Sequence, residues 1–273
     1  MIAIVAVPKS FCETPKKPSS DHRPRKKRHR IGSSGIVPYK RRARKPIDHA
    51  KEGRIMTTNK TGRITGTEME EAISRFERDC RSDGVGETVR SFIREPLFIW
   101  MDALAQASDE SVSHSEGEFH AECGLDRNMI MRTTVGINRM LSIRDVFLIS
   151  AIVDERYADR DFLMSFAERP KLSRNAQRLE QLLSDSFRDP LARPDMKRCD
   201  QAINMLFDII DMIPKTYRAQ PFAVISYIMW WMGQEGAMAS AISALAIDDQ
   251  CSLAAIVCSA VERRIGPAWT SET

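Results

Sequence analysis

The sequence is poor in the residues that catalytic sites use, and it lacks the common phosphate-binding motifs. Its five histidines all precede residue 121, so the rest of the chain contains no Ser-His-Asp or Cys-His arrangement. Neither a G-x-x-x-x-G-K-S/T loop nor a G-x-G-x-x-G segment occurs. These absences disfavour an enzyme, and they predict that the protein binds no cofactor.

Paired cysteines and long apolar runs are also missing. The six cysteines are irregularly spaced and include no C-x-x-C pair, which is typical of free thiols in a reducing setting. The apolar runs at 1–8 and 221–232 are shorter than the roughly 20 residues that a membrane-spanning helix needs. The sequence therefore predicts a soluble cytoplasmic protein without a membrane partner.

One short segment contains the residue types of a zinc site. It reads His114-x-Glu116-x-Glu118-x-His120-x-x-Cys123. The alternative is an acidic surface loop with two incidental histidines. We favour the loop, because the chain offers no second half of a site elsewhere, and we predict no bound metal.

The charge of the chain is divided unevenly. Residues 1–55 contain 16 Lys and Arg against four acids, a net charge of +12, whereas the remaining residues contain 25 against 33, a net charge of −8. A basic tail on an acidic body is a pattern that indicates binding to nucleic acid or another anionic surface.

Residues 1–55 are rich in Pro, Ser and basic side chains and show no helical or strand period, which predicts a disordered tail. One interpretation is a phosphate-binding arm, and another is an idle solvated tail. A third interpretation is that the protein starts at Met56, because the polar residues after Met56 are typical of the start of a protein. The nucleic-acid-binding candidates are Arg25, Lys26, Lys27, Arg28, Arg41 and Arg42.

From Thr67 onward the apolar spacing is helical, and no stretch alternates like a strand. We predict an all-α, compact helical domain, with a helical N-terminal part at 56–124 that ends in an acidic loop and a helical domain at 125–273. Thr67 and Glu70 have the spacing of a capping box. Pro96 should kink the helix predicted at 87–107 or begin a new segment.

Two short segments of the second half resemble each other. Arg144-Asp145 and Arg160-Asp161 each precede apolar residues, sixteen positions apart. In both, the aspartate is predicted in the first turn of a helix, where the helix dipole favours an anion, and the arginine is within reach of a carboxylate. We assign Arg160 and Asp161 a structural role; a catalytic dyad is the alternative, but no base or nucleophile accompanies it.

The C-terminal segment at 217–269 has a recognisable order of features. These are Pro221, Trp230 or Trp231, Gly233 with Gly236, an Ala-rich helix at 237–246, Leu253-Ala254, and Gly266-Pro267. In this order the chain resembles the bacterial family called domain of unknown function 4192, from about Ile143 to Trp269. The resemblance implies a bacterial protein but no activity. The Leu-Gly-x-x-Pro segment of the family is missing, and Asp248-Asp249 replaces its Asp-Pro.

The same segment predicts a tetratricopeptide-like helical hairpin. Gly233 and Gly236 permit a tight turn that includes a position at φ > 0. Ala241 and Ala244 belong to a small-residue surface on which helices can cross closely. Only one such unit is evident, and a repeat array usually needs at least about three.

Trp230 and Trp231 are adjacent, so their rings point to different sides of a helix. Packing of both rings in the core is one interpretation. The other is a partner-binding surface, for which Trp230, Trp231 and Met232 are the candidates. Our functional hypothesis is a non-catalytic protein-interaction module for an unknown protein or peptide. The alternative is a nucleic-acid-associated accessory protein that binds through the basic tail.

Overall fold

The computed structural model describes residues 62–109 and 124–270, and within them the chain is helical. Ten α-helices and two short 3-10 turns account for the regular structure there, and these residues contain no strand, which confirms the all-α prediction. None of the helices in the described ranges is long and apolar enough to cross a membrane. The basic tail and the candidate metal segment at 114–123 lie outside the described residues.

The helices follow one another with short connections. Their bounds are α1 Gly66–Ser82, α2 Val85–Ser108, α3 Arg127–Arg139, α4 Leu141–Ile152, α5 Arg160–Glu168, α6 Ser173–Arg188, α7 Met196–Met212, α8 Ala219–Trp231, α9 Ala237–Leu245 and α10 Ser252–Glu262.

Two helices form the centre of the molecule. In α4 every side chain from Ser142 to Ile152 is buried, and in α8 the same holds from Ala223 to Trp231. Both helices are buried around their whole circumference, so other elements surround each of them. The amphipathic helices α1, α6 and α7 place their charged faces outward.

The long helix α2 joins the two described ranges into one hydrophobic core. It packs against α1, which precedes residues 110–123 in the chain, and against α3, α4, α5 and α7, which follow them. Trp100, in the middle of α2, is fully buried, and its indole Nε1 donates to Ser150 Oγ of α4 at 2.9 Å. The N-terminal part and the C-terminal helices therefore share their core.

The capping box of α1 lies two residues before the predicted one. Thr65 has extended backbone angles and accepts from the amide of Glu68, and the Glu68 side chain accepts from the Thr65 amide at 2.8 Å. The prediction of Thr67 and Glu70 is wrong because the chain is already helical at Gly66. Hydrogen bonds from Arg127, and then from Thr65, lower the pKa of Glu68 to about 2.

Pro96 does not begin a new segment. The helix continues from Val85 to Ser108 with Pro96 inside it. A proline in a helix leaves the carbonyl four residues earlier without its amide partner. Here that carbonyl belongs to Phe92, and it accepts from Arg132 Nε at 2.8 Å. The side chain of α3 thus replaces the missing donor, and the helix tolerates the proline.

The aspartate of the first Arg-Asp segment is not in a first helical turn. Met140, in extended conformation, ends α3 and begins α4, so α4 starts at Leu141 and its first turn contains no acidic residue. Asp145 lies one turn further in and is buried. Asp161 does occupy the first turn of α5, as predicted, and Asp159 caps that helix by accepting from the Phe162 amide at 2.8 Å.

The C-terminal helices α8, α9 and α10 pack against one another. At the end of α8, Gly233 has φ +71°, and its amide donates to Trp230 O while the Gln234 amide donates to Met229 O. These two hydrogen bonds together form a Schellman motif. Gly236, with φ −67°, instead begins α9, so the prediction of positive φ holds only at Gly233. Likeness to a tetratricopeptide hairpin stays a prediction.

Candidate functional site

The partner-binding candidates at the end of α8 are core residues. Trp231 is fully buried, Trp230 is 5% exposed and Met232 is 4% exposed. Trp230 Nε1 donates to Ile265 O at 2.8 Å, and the rings of Tyr227 and Phe187 contact both tryptophans. The prediction that one tryptophan ring faces a partner is therefore wrong. Phe187 of α6 and Ile265, in the segment after α10, cover the rings.

Arg160 and Asp161 do not form a dyad. Arg160 pairs with Asp102 of α2 and with Glu155, whereas Asp161 is exposed on α5. The guanidinium of Arg160 also lies over the ring of Phe98, 5.1 Å from its centroid. Arg160 therefore fixes the start of α5 against α2, in agreement with a structural role.

The surface feature best suited to binding is a cleft along the exposed side of α2. It has a volume of about 550 Å³ and is bordered on one side by α3. We call it the α2 cleft and define it by the residues that line it: Glu87, Arg90, Ser91, Arg94, Glu95, Phe98, Ile99 and Arg132.

Two of the arginines in the α2 cleft are held in place by neighbouring elements. Arg90 donates from two nitrogens to both carboxylate oxygens of Glu168 on α5, each at 2.8 Å, and this contact raises the pKa of Arg90. Arg132 donates to Phe92 O, to Ser91 O at 2.9 Å and to Glu95 at 2.8 Å. Both guanidinium groups are thus oriented before any ligand arrives.

The third arginine of the cleft is differently placed. Arg94 lies over the ring of Phe98 at 5.5 Å from the centroid, and it makes no ion pair with any residue of the described ranges. Phe98 therefore has guanidinium groups of Arg94 and Arg160 near its ring. Phe98 and Ile99 are half-buried and form the apolar floor.

The α2 cleft contains residue types that are suited to recognition. Arginine stays protonated, so it cannot serve as a base, and the lining residues include no His, Cys, Lys or Tyr. Guanidinium groups beside an apolar floor bind carboxylates and aliphatic or aromatic side chains. The sequence analysis did not identify the residues of the α2 cleft as a binding site. The only signal for them was the presence of both Arg and Glu on one face of the helix predicted at 87–107.

A second group of polar residues lies inside the molecule. Arg144 and Asp145 form an ion pair whose side chains are only 2% and 1% exposed. The hydroxyl of Tyr227 on α8 is buried and has no hydrogen-bond partner among the described residues. Burial, and then the charge of Asp145, raises the pKa of Tyr227, so the phenol is neutral at physiological pH. None of these three residues lines the α2 cleft.

Metal ligands and reactive thiols are also absent from the described ranges. No group of three or more His, Cys, Asp or Glu there could hold a metal ion. The four cysteines at positions 80, 199, 251 and 258 are free thiols. Burial raises the pKa of Cys199 to about 12, which leaves its thiol protonated and unreactive.

Comparison with known proteins gives no match. No family model matches the chain, and no curated protein or solved structure does.

Proposed function

We propose that the protein is a non-catalytic interaction module that binds a segment of a partner protein in the α2 cleft. The observation that carries the proposal is the apolar floor of Phe98 and Ile99 beside an arginine, Arg94, that has no counter-ion in the described part of the chain. A partner carboxylate would supply that counter-ion.

Interface energetics supports this choice of site. Arginine and aromatic side chains contribute a large share of the residues that dominate binding energy in protein complexes. Arg90 and Arg132 are already fixed by Glu168 and by backbone carbonyls, so binding orders few further rotamers.

The proposal includes a cytoplasmic location, supported by the free thiols of the described cysteines. It also includes the prediction that α8 and α9 form a tetratricopeptide-like helical hairpin, which serves as a scaffold.

Site-specific photo-cross-linking tests the proposal. A benzophenone amino acid replaces Ile99 in the cleft, and in a matched protein it replaces Leu191, an isolated loop residue that is 89% exposed. Irradiation in the native host should give a discrete protein adduct from position 99 but not from position 191. Equal adducts from both positions, or none from position 99, would contradict the proposal.

The contribution of the cleft charge is tested in the same experiment. Arg94→Glu should reduce the adduct at position 99 by about tenfold or more, since one charge-assisted hydrogen bond contributes about 1.5–3 kcal/mol. Arg174→Glu is the matched control, because Arg174 is exposed on α6 and is not among the residues that line the cleft. That control should leave the adduct unchanged.

A second candidate function is nucleic-acid binding by residues 1–55. The observation that favours it is their net charge of +12. Phosphate neutralisation by Arg25 to Arg28 and by Arg41 and Arg42 would supply affinity without sequence preference.

A further inference from the structure

The exposed face of α2 lies between two other helices. On one side α3 packs against α2, and its Arg132 reaches over to α2 and bonds to it. On the other side lies α5, where Arg160 at its start pairs with Asp102 of α2. Glu168 at the end of α5 pairs with Arg90, so α5 runs antiparallel to α2. The α2 cleft is therefore the floor of a groove that follows the axis of α2, with a helix along each side.

Two groups on the floor of this groove are free to meet a partner. Arg94 makes no ion pair in the described ranges, and its guanidinium lies 5.5 Å from the centroid of the Phe98 ring. Phe98 is half-buried, so part of its ring is accessible beside Ile99. Arg94 and Phe98 are four positions apart, which is about 6 Å along the helix axis. A complementary segment must therefore offer a carboxylate and an apolar side chain at a similar spacing.

The groove offers no main-chain partner to an extended peptide. The backbone groups of α2 bond to one another along the helix, and Phe92 O, which Pro96 leaves without an amide, already accepts from Arg132. The described ranges also contain no strand whose edge could pair with a peptide. An extended segment would therefore cover its own amides without partners, whereas a helix bonds its amides internally. The groove thus favours a helical occupant.

We infer that the partner segment is an amphipathic helix that lies along α2. It carries an aspartate or glutamate opposite Arg94 and an apolar side chain three or four positions away, opposite Phe98 and Ile99. The inference rests on the proposed function, because it names the class of segment that the α2 cleft binds. The cleft extends from Glu87 to Ile99, about 18 Å along the axis of α2, which is the length of roughly three helical turns.

The acidic residues of the cleft restrict where the partner helix can carry its own acid. Glu95 is paired with Arg132 at 2.8 Å, so its charge is largely compensated. Glu87 lies two turns before Arg94, has a side chain that is 64% exposed, and is only 3.7 Å from Arg90. A second carboxylate two turns along the same face of the partner would meet Glu87 and be repelled. The partner helix should therefore carry a basic or uncharged residue at that position.

A selection of displayed peptides by the full chain tests the inference. The library contains random peptides of about 16 residues, long enough for four helical turns. Cleft ligands are those that cross-link to a benzophenone amino acid at position 99 but not to one at position 191. They should be enriched by about tenfold or more in sequences with an acid three or four positions from an apolar residue. Selection by Arg94→Glu should replace that acid with Lys or Arg, whereas selection by the control Arg174→Glu should retain it.

The helical conformation is tested on synthetic copies of the cleft ligands. Proline at the centre of such a peptide should weaken its binding by about tenfold or more, because it breaks a helix, whereas proline at the first position should not. Cleft ligands that lack the acid, or that tolerate the central proline, overturn the inference and leave the proposed function standing. If no peptide cross-links to position 99, both the inference and the proposed function are overturned.

Discussion

Two residues that end helices, Gly233 and Arg264, adopt the same backbone conformation with different side chains. After α10 the amide of Arg264 donates to Val261 O and that of Ile265 donates to Ala260 O, which is the bond pattern found at Gly233. Arg264 has φ +54° and is the one non-glycine residue at positive φ in the described ranges. A side chain in this region costs about 1–2 kcal/mol relative to the right-handed helix, a cost that glycine avoids.

We therefore expect Arg264→Gly to stabilise the protein by about 0.5–1 kcal/mol, after the greater freedom of glycine in the unfolded chain is subtracted. Denaturant unfolding measures this change. The matched control is Arg263→Gly, because Arg263 precedes it with φ −87° and gains nothing from the substitution. An equal effect of the two substitutions would mean that the conformation of Arg264 carries no strain.

At the scale of the elements, the contact of Arg132 with α2 explains both the continuity of that helix and the shape of the cleft. Pro96 leaves Phe92 O without its helical donor, and Arg132 Nε of α3 takes that position at 2.8 Å. The same guanidinium borders the α2 cleft and pairs with Glu95. The proline thus provides the anchor that orients a residue of the proposed binding site.

A double-mutant cycle tests this coupling. Arg132→Ala should destabilise the protein by about 1–3 kcal/mol, since it leaves a helical carbonyl without a donor. In a Pro96→Ala background the restored backbone amide can bond to Phe92 O, so the same arginine substitution should cost about 1 kcal/mol less. Arg127→Ala, which removes contacts to Gly62 O and Glu68, is the control and should cost the same in both backgrounds.

The elements also show where sequence reasoning succeeds. Asp161 lies in the first turn of α5, as the sequence predicts, because Asp159 is a strong local capping signal. The continuity of α2 could not be predicted, since the donor that compensates Pro96 comes from a residue 40 positions away. The α2 cleft depends likewise on the pair of Arg90 and Glu168, which are 78 positions apart.

At the scale of the whole molecule, the described residues form one helical body and the strongest charge lies outside it. Residues 56–273 carry a net charge of −8, and residues 1–55 carry +12. An acidic body repels a polyanion, so any favourable contact with DNA or RNA must come from the tail. The two proposed functions therefore belong to different parts of the chain and can be separated experimentally.

We expect the fragment 56–273 to show no binding to a labelled random-sequence DNA duplex at physiological salt, as measured by fluorescence anisotropy. If the full chain binds through six phosphate contacts, its affinity should fall by about 10³-fold or more between 50 and 200 mM salt, because binding releases condensed counterions. Serine substitution of Arg25 to Arg28 together with Arg41 and Arg42 should weaken binding and reduce that salt dependence, because each lost phosphate contact lowers the slope. The cross-link from position 99 should persist in the fragment, since the α2 cleft lies entirely within it. Loss of the cross-link on removal of the tail or after nuclease treatment would instead assign partner binding to nucleic acid, and the interaction-module proposal would be wrong.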